Sequence, residues 1–422
     1  MADVRAFPAI RFDPARVDLA SVLAPPYDVI SPSRQHELYD RSPYNVVRVE
    51  YGEQRQHDTP ADNRYTRAAR DLAAWLADGI LRRDETPAAY VYSLEFEHGG
   101  TRYTRQHLFV VVGLEPWDAG VVRPHEHTLA GPKSDRLELL RATRTQISPV
   151  YSLHRGAPPP LDAAAPLCDA DADGAHHRLA RIADRDAIAA LTRTFAARPL
   201  YIADGHHRYE TALAYRDECR ARAASWTGEE PANFVLMALT AANDPGLLVL
   251  PTHRIVRVAP PADALDRLSA AFDVREVAVD DASEALGREP ADETIFIAVG
   301  LSRGRAHLLR LRDRAAAERA MPAGQPEAWR RLDVSVLHHA ILGPVFGIDD
   351  DALVRGDAVS YTQNAEEAVA SVTGGDAACT FLLRATPVEQ VLAVADAGGR
   401  MPQKSTYFYP KLPTGLVMYP LA

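Results

Sequence analysis

The feature that most constrains this chain is a short apolar run ending at a polar corner. Pro199 to Ala203 is followed by Asp204-Gly205-His206-His207-Arg208-Tyr209-Glu210-Thr211-Ala212-Leu213. The run reads as a buried strand, and Tyr209, Ala212, Leu213, Arg216 and Cys219 follow it at helical spacing. Asp204 is the expected N-cap, and Gly205 lets another group approach the backbone closely. A strand turning sharply into a helix aims free N–H groups and a partial positive charge at one spot. Two imidazoles and a guanidinium in that first turn add donors where an anion would sit. The corner therefore reads as a phosphate-binding turn. The competing reading is a solvated helix start that carries basic residues. Upstream, His176 to Ile182 is strand-like and Asp184 caps a helix to about Ala197. The resulting order of strand, helix, strand, turn, helix is that of many α/β nucleotide sites.

Composition narrows the function classes. With 422 residues there is enough chain for a substantial core and two or three lobes. A net charge of -10 argues against a nucleic-acid surface, while leaving room for a local basic pocket. Cys168, Cys219 and Cys379 are widely spaced and form no CxxC pair, which points away from a disulfide framework and toward a reducing compartment. The N-terminus lacks an apolar signal core and no stretch is long enough to span a bilayer, so a cytoplasmic location without membrane association is expected. Nothing in the sequence specifies an oligomeric state.

Other polar constellations stand apart from the turn. Ala24-Pro25-Pro26-Tyr27-Asp28-Val29-Ile30 is a stiff loop whose prolines fix the pose of Tyr27 and Asp28. Asp28 is a candidate catalytic carboxylate or a turn acceptor. Ser31-Pro32 signals the next helix, and Asn45 to Glu50 alternates like a strand. A helix is expected from Asn63 to Asp78, ended by Gly79, and a long hairpin from Tyr90 to Leu114. Arg123-Pro124-His125-Glu126-His127-Thr128 follows, and then a helix expected from Ser134 or Asp135 to about Thr143, with Lys133 and Arg136 beside its start. His125 and His127 would share a face of an extended segment, but no third or fourth metal ligand stands at a recognisable spacing. Glu126 is read as an acid/base or Mg²⁺-facing carboxylate, with Lys133 and Arg136 facing anions; the alternative is a loop held by its own salt bridges. His253 and Arg254 close an apolar strand, a usual place for ligand contacts in α/β folds. His338 and His339 are read as half-buried structural residues of a helix that starts at Asp333. The tail from Met401 to Gly415, with its aromatics and prolines, reads as a rigid loop packed back on the body and offering Lys404 or Lys411 to an anion.

Five segments together resemble the family catalogued as domain of unknown function 1015: APPYDVIS at Ala24 to Ser31, HEHT with GPKSDRL at His125 to Leu137, ADGHHRYETAL at Ala203 to Leu213, DPGLLVLPTHR at Asp244 to Arg254 and MPQKSTYFYPKLPTGLV at Met401 to Val417. More distantly, Asp204 to Arg208 is similar to the phosphate-binding turn of the ParB and sulfiredoxin superfamily, which includes free-serine kinases. That resemblance implies a mixed α/β fold: a ParB/sulfiredoxin-like strand–turn–helix core at 156–259, an N-terminal α/β lobe with the long hairpin at 1–155 and a C-terminal subdomain at 260–422. It also implies ATP or ADP with Mg²⁺ as cofactors, held by Gly205, His206, His207 and Arg208; the positions of Asp204, Lys133, Arg136, His253, Arg254 and Lys404 make them the further expected contacts. His206 stands in the region where sulfiredoxin carries its cysteine, which disfavours sulfinic acid repair. Members of the family are often encoded beside serine-biosynthesis enzymes, so the implied substrate is serine or phosphoserine. The expected partners are thus a small-molecule substrate and a nucleotide, with Glu126 as the preferred base and Asp28 in reserve. A nucleotide-binding regulatory protein and a metal-dependent hydrolase using His125, Glu126 and His127 are the alternatives.

Overall fold

The structure is a computed structural model that describes residues 1–128, 130–159, 161 and 164–421. The expected exposed connection from Arg155 to Pro166 lies partly outside them, at Pro160, Asp162 and Ala163, and its far end enters a strand, Ala165–Ala172. The chain divides into two compact units. Unit 1 comprises Met1–Pro124, Thr128–Leu247 and Pro410–Ala422, and unit 2 comprises His125–His127 and Leu248–Tyr409.

Unit 1 is built on a nine-stranded mixed sheet. From one edge the order is Val122–Arg123, Leu200–Asp204, Val150–His154, Phe234–Ala241, Thr101–Gly113, Ala89–His98, Ala175–Ile182 and Ala165–Ala172, with Val4–Arg5 also pairing to Thr101–Gly113. The run Phe109-Val110-Val111-Val112 is apolar on both faces, and it occupies the middle of the sheet, with Val110 opposite Met237 and Val111 opposite Leu236. Val110, Val112, Met237, Ile202, Phe195 and Tyr209 share one buried cluster. The hairpin expected near Tyr90 to Leu114 is present as Ala89–His98 and Thr101–Gly113, closed by Gly99 and Gly100. The helix Arg64–Ala77 also follows the sequence signals: Asn63 and Thr66 form a capping box, and Gly79 takes a positive φ of 70° just past the end.

Two local expectations change. Asn45 to Glu50 is not a strand; Val47–Glu50 is a helical turn. The Asn45 side chain accepts from Val47 N at 3.0 Å and donates to the carbonyls of Ser21 and Leu23 at 2.8 and 3.0 Å, a side-chain-to-backbone network that outweighs three β-branched residues. The helix expected from Ser134 or Asp135 starts earlier, as Ala130–Thr143, and packs on His206–Arg222 and Arg64–Ala77.

Unit 2 centres on a six-stranded sheet ordered Phe272–Val277, Ala306–Leu311, Ile295–Val299, Cys379–Leu382, His253–Val256 and Val359–Thr362, antiparallel at every pairing. The side-chain period of two divides its core. Ile295, Ile297 and Val299 join one cluster with Ala282 and Ala368, while Phe296 and Ala298 join the opposite one with Leu337 and Ile341. Leu248–Leu250 pairs with Tyr407–Tyr409 in a separate two-stranded ribbon. Among the described residues no helix is long and apolar enough to cross a membrane.

Candidate functional site

The strand Leu200–Asp204 runs into the helix His206–Arg222 through Gly205, which sits at φ 94°, ψ 28°. That backbone conformation favours glycine, and it places Gly205 itself at the cap position. Asp204 is therefore not the N-cap the sequence suggested. Its carboxylate accepts instead from Arg208 Nη2 at 2.5 Å and from Lys411 Nζ, which returns to the turn in the C-terminal tail. Burial acts to raise the Asp204 carboxyl, but Lys411 and Arg208 outweigh it and hold the group well below the usual carboxylate range. Arg208 also donates to the Pro149 carbonyl, and its guanidinium lies over Gly205, 2.9 to 3.0 Å from where a Cβ would be. The helix has no side-chain cap and no acidic residue in its first turn. Two cations and one carboxylate thus meet at a helix start whose cap residue, a glycine, brings no side chain to it. His206 is buried and adds to the field on Asp204, and His207 is half-buried.

Behind the turn lies a second charged group. Arg136 donates to the Glu50 carbonyl at 2.7 Å and to Asp135 Oδ2 at 2.7 Å, and it stands 3.5 Å from the Glu50 carboxylate. Ser148 Oγ donates to Glu50 at 2.9 Å. Burial pushes the Glu50 carboxyl up against the pull of Arg136 and Arg208. Glu50, Arg136, Ser148, Arg208 and Thr211 line a cavity of about 50 Å³, and the buried Thr211 hydroxyl has no hydrogen-bond partner among the described residues. That volume suits water, not a nucleotide. Lys133 is held by Glu210 at 2.9 Å, and the same carboxylate accepts from Thr128 at 2.6 Å. The anions that Lys133 and Arg136 face are thus carboxylates of the chain itself.

Of the proline-rich loop, Asp28 is exposed, whereas Tyr27 is drawn inward. The Arg136 guanidinium lies 4.2 Å over the Tyr27 ring, and burial, opposed by Arg208 and Arg136, pushes the phenol up to about 12. Sequence reasoning missed Tyr27, Glu50, Ser148 and Glu210. The signal for Glu210 was available, since it sits one helical turn past His206 on the same element. Nothing local marks Glu50 as buried.

In unit 2, Glu126 forms an isolated parallel bridge with Met401, and His125 reaches Thr406 Oγ1 at 3.2 Å. His127 is exposed. Among the described residues His125, Glu126 and His127 do not form a group of three metal donors; the group that does is His338, His339 and Asp350. Lys404 is exposed, at φ 56°. His253 and Arg254 open the strand His253–Val256, where His253 Nδ1 accepts from Leu383 N at 3.3 Å. Arg254 is 5% exposed and donates to the Thr252 carbonyl, with the Tyr361 ring 5.1 Å from its guanidinium carbon. Burial brings Arg254 down to about 10, partly offset by Tyr361 and Glu126.

The donors around Gly205 fit a polyphosphate: backbone N–H groups, imidazoles, a guanidinium and an ammonium. They offer less to a free Mg²⁺, because the carboxylates of Asp204, Glu210, Asp135 and Glu50 each already face a cation.

No curated protein sequence matches the chain. Among solved structures it is similar to a conserved hypothetical protein from Pyrococcus furiosus, at 16% identity and TM-score 0.35 over 72% of this chain and 93% of that one. It is also similar to a variant free serine kinase in complex with ADP, at 15% identity and TM-score 0.37 over 71% and 87%. SbnI from Staphylococcus aureus, truncated at its C-terminus, matches at 9% identity and TM-score 0.34 over 74% and 87%. The sequence profile described as "Protein of unknown function (DUF1015)" matches residues 4–335, most of the chain, and the chain belongs to that family.

Proposed function

We propose that this protein is a nucleotide-dependent phosphotransferase acting on a small hydroxyl compound, with serine or phosphoserine as the substrate of choice. The observation that carries the reading is the start of the helix His206–Arg222. It begins at a glycine with no acid in its first turn, and Asp204 assembles Arg208 and Lys411 beside it. An anion arriving there meets a net positive corner already desolvated on one side. ATP or ADP, when bound, supplies or accepts the phosphoryl group, and Gly205, His206, His207 and Arg208 hold its phosphates. Mg²⁺ enters as the nucleotide's own counter-ion. Glu126 accepts the substrate hydroxyl proton, with Asp28 as the less favoured base. The ParB/sulfiredoxin-like ancestry of the core belongs to the same proposal.

Titration calorimetry with ADP and ATP, followed by ³¹P NMR with serine or phosphoserine added, tests it. Arg208→Ala should weaken nucleotide binding by about 1.5–3 kcal/mol in a folded protein. Glu126→Gln should keep binding and lose turnover; a fully active variant removes Glu126 from the mechanism. Binding without any movement of phosphate in the parent protein selects the second reading, a nucleotide-responsive regulator.

A further inference from the structure

We propose that His338, His339 and Asp350 in unit 2 form a binding site for one divalent transition-metal ion of the zinc class. The three lie beyond the residues matched by the family profile, so the site is a feature of this chain's C-terminal part. Their donor atoms all fall within 4.8 Å of one another. The segment Leu337–Leu342 is π-helical, a form that appears mostly as single-turn insertions and often at functional sites. It places the two neighbouring imidazoles side by side, with ring centroids 4.4 Å apart and planes 10° from parallel.

His338 Nε2 stands 3.1 Å from Asp350 Oδ1. Two donors on a tetrahedral zinc ion, each at about 2.0–2.1 Å, are separated by about 3.3 Å, so an ion fits between them with little movement. Stacked rings aim their lone pairs in parallel. One must therefore rotate about its Cβ–Cγ bond to converge on the ion, a soft torsion. His339, half-buried and inclined at 46° to Trp329, is the ring with that freedom. His338 is buried, and its Nδ1 has no hydrogen-bond partner among the described residues. The Asp350 carboxylate favours the Nε2–H form, and the open Nδ1 can take that proton when an ion arrives at Nε2.

The Asp350 carboxylate is largely exposed, which gives an ion a way in. Asp349 adds a favourable field while its own carboxylate caps the next helix at Ala352 N, and Arg254 opposes it. Two nitrogens and one oxygen suit zinc, cobalt or nickel better than magnesium or calcium, and they leave a coordination position for water. Bound metal would tie the π-helical segment to the helix Asp350–Arg355.

The test uses the full-length protein, stripped with chelator and titrated with Zn²⁺ against a chromophoric competitor, then with Co²⁺ followed by visible absorption. The parent should take up one equivalent of zinc at this site and give the intense cobalt bands of a four- or five-coordinate ion. His339→Gln and Asp350→Asn, both at accessible side chains, should each weaken that equivalent by at least about tenfold and remove the bands. His176→Gln, at an exposed pair with Asp171, should change neither. Equal zinc uptake by the parent and both site variants overturns the proposal, as does a parent that binds no zinc at tens of micromolar.

Discussion

Two charges held largely away from water, one in each unit, show opposite ways of handling the same cost. Asp204 in unit 1 is an anion with two cations in direct contact, and it is driven far toward its charged form. Arg254 in unit 2 is a cation that makes no ion pair within 4.0 Å among the described residues. It is supported by one carbonyl, the Tyr361 ring over which its guanidinium lies and the more distant field of Glu126. Desolvating a charge is expensive in both places. In the first the chain compensates with partners, and in the second it leaves much of the compensation undone. The lesson is that the polar turn legible in the sequence is the better neutralised of the two, and that the arginine at the end of an ordinary-looking strand is the group short of an anion.

The sharpest way to break this contrast is Asp204→Asn. It leaves Arg208 and Lys411 facing each other without their carboxylate, and a loss of about 3 kcal/mol in denaturant unfolding is expected. Because the folded carboxyl is depressed, its stabilisation is complete above the ordinary value near 3.8 and drains only as pH falls below it. A cost under about 1 kcal/mol at pH 7 would mean that solvent screens the cluster and that the two regions are alike. Gly205→Ala probes the same corner through the backbone. With φ at 94° and Arg208 nitrogens 2.9 to 3.0 Å from the new methyl, the variant must strain the turn or displace the guanidinium. A loss of about 1–2 kcal/mol is expected for the left-handed backbone alone. No loss would show that the turn reopens at no cost and that Arg208 is free to leave Gly205.

Arg254→Met addresses the other side. Replacing a poorly compensated buried guanidinium by an apolar chain of similar length should change stability by no more than about 1 kcal/mol, and a gain is an allowed outcome. A loss above about 3 kcal/mol would reverse the comparison, because only a well-paired charge is that costly to remove.

How far the sequence reaches depends on whether a signal is local. The helix from Asn63 ended by Gly79, the hairpin turn at Gly99-Gly100 and the strand–turn–helix at Gly205 were all readable, because each is fixed by residues within a few positions. Asn45 to Glu50 misled for the same reason in reverse: its alternation is real, but Asn45 reaches back to Ser21 and Leu23, over twenty residues away. At the site the same division holds. The turn and the tail were each visible, but which lysine meets Asp204 was not: the pairing joins positions 204 and 411 through the fold. Tyr27 and Glu50 enter through the packing of Arg136, a guanidinium that reads in sequence only as a cation near a helix start. Composition gave no sign that Arg254 would be buried with so few partners.

The finest test of the contrast is the imidazole beside Arg254. Burial first, and then Arg254, bring His253 from an ordinary value of 6.5 down to about 4. The unfolded chain binds this proton near pH 6.5 and the folded one only near pH 4, so stability falls as pH drops through that window. Asn in place of His253 keeps an acceptor for Leu383 N and carries no titrating group. His253→Asn should therefore flatten the stability-versus-pH curve between those two values, by on the order of 0.4 kcal/mol near pH 6.5 and more as the solution is acidified. Arg254→Met alone, with His253 kept, then separates the two causes. If the neighbouring charge contributes, His253 in the single Arg254→Met variant should titrate closer to its ordinary value, readable from its imidazole proton shifts by NMR. An unchanged titration assigns the whole depression to burial and removes Arg254 as a source of uncompensated charge in this part of unit 2.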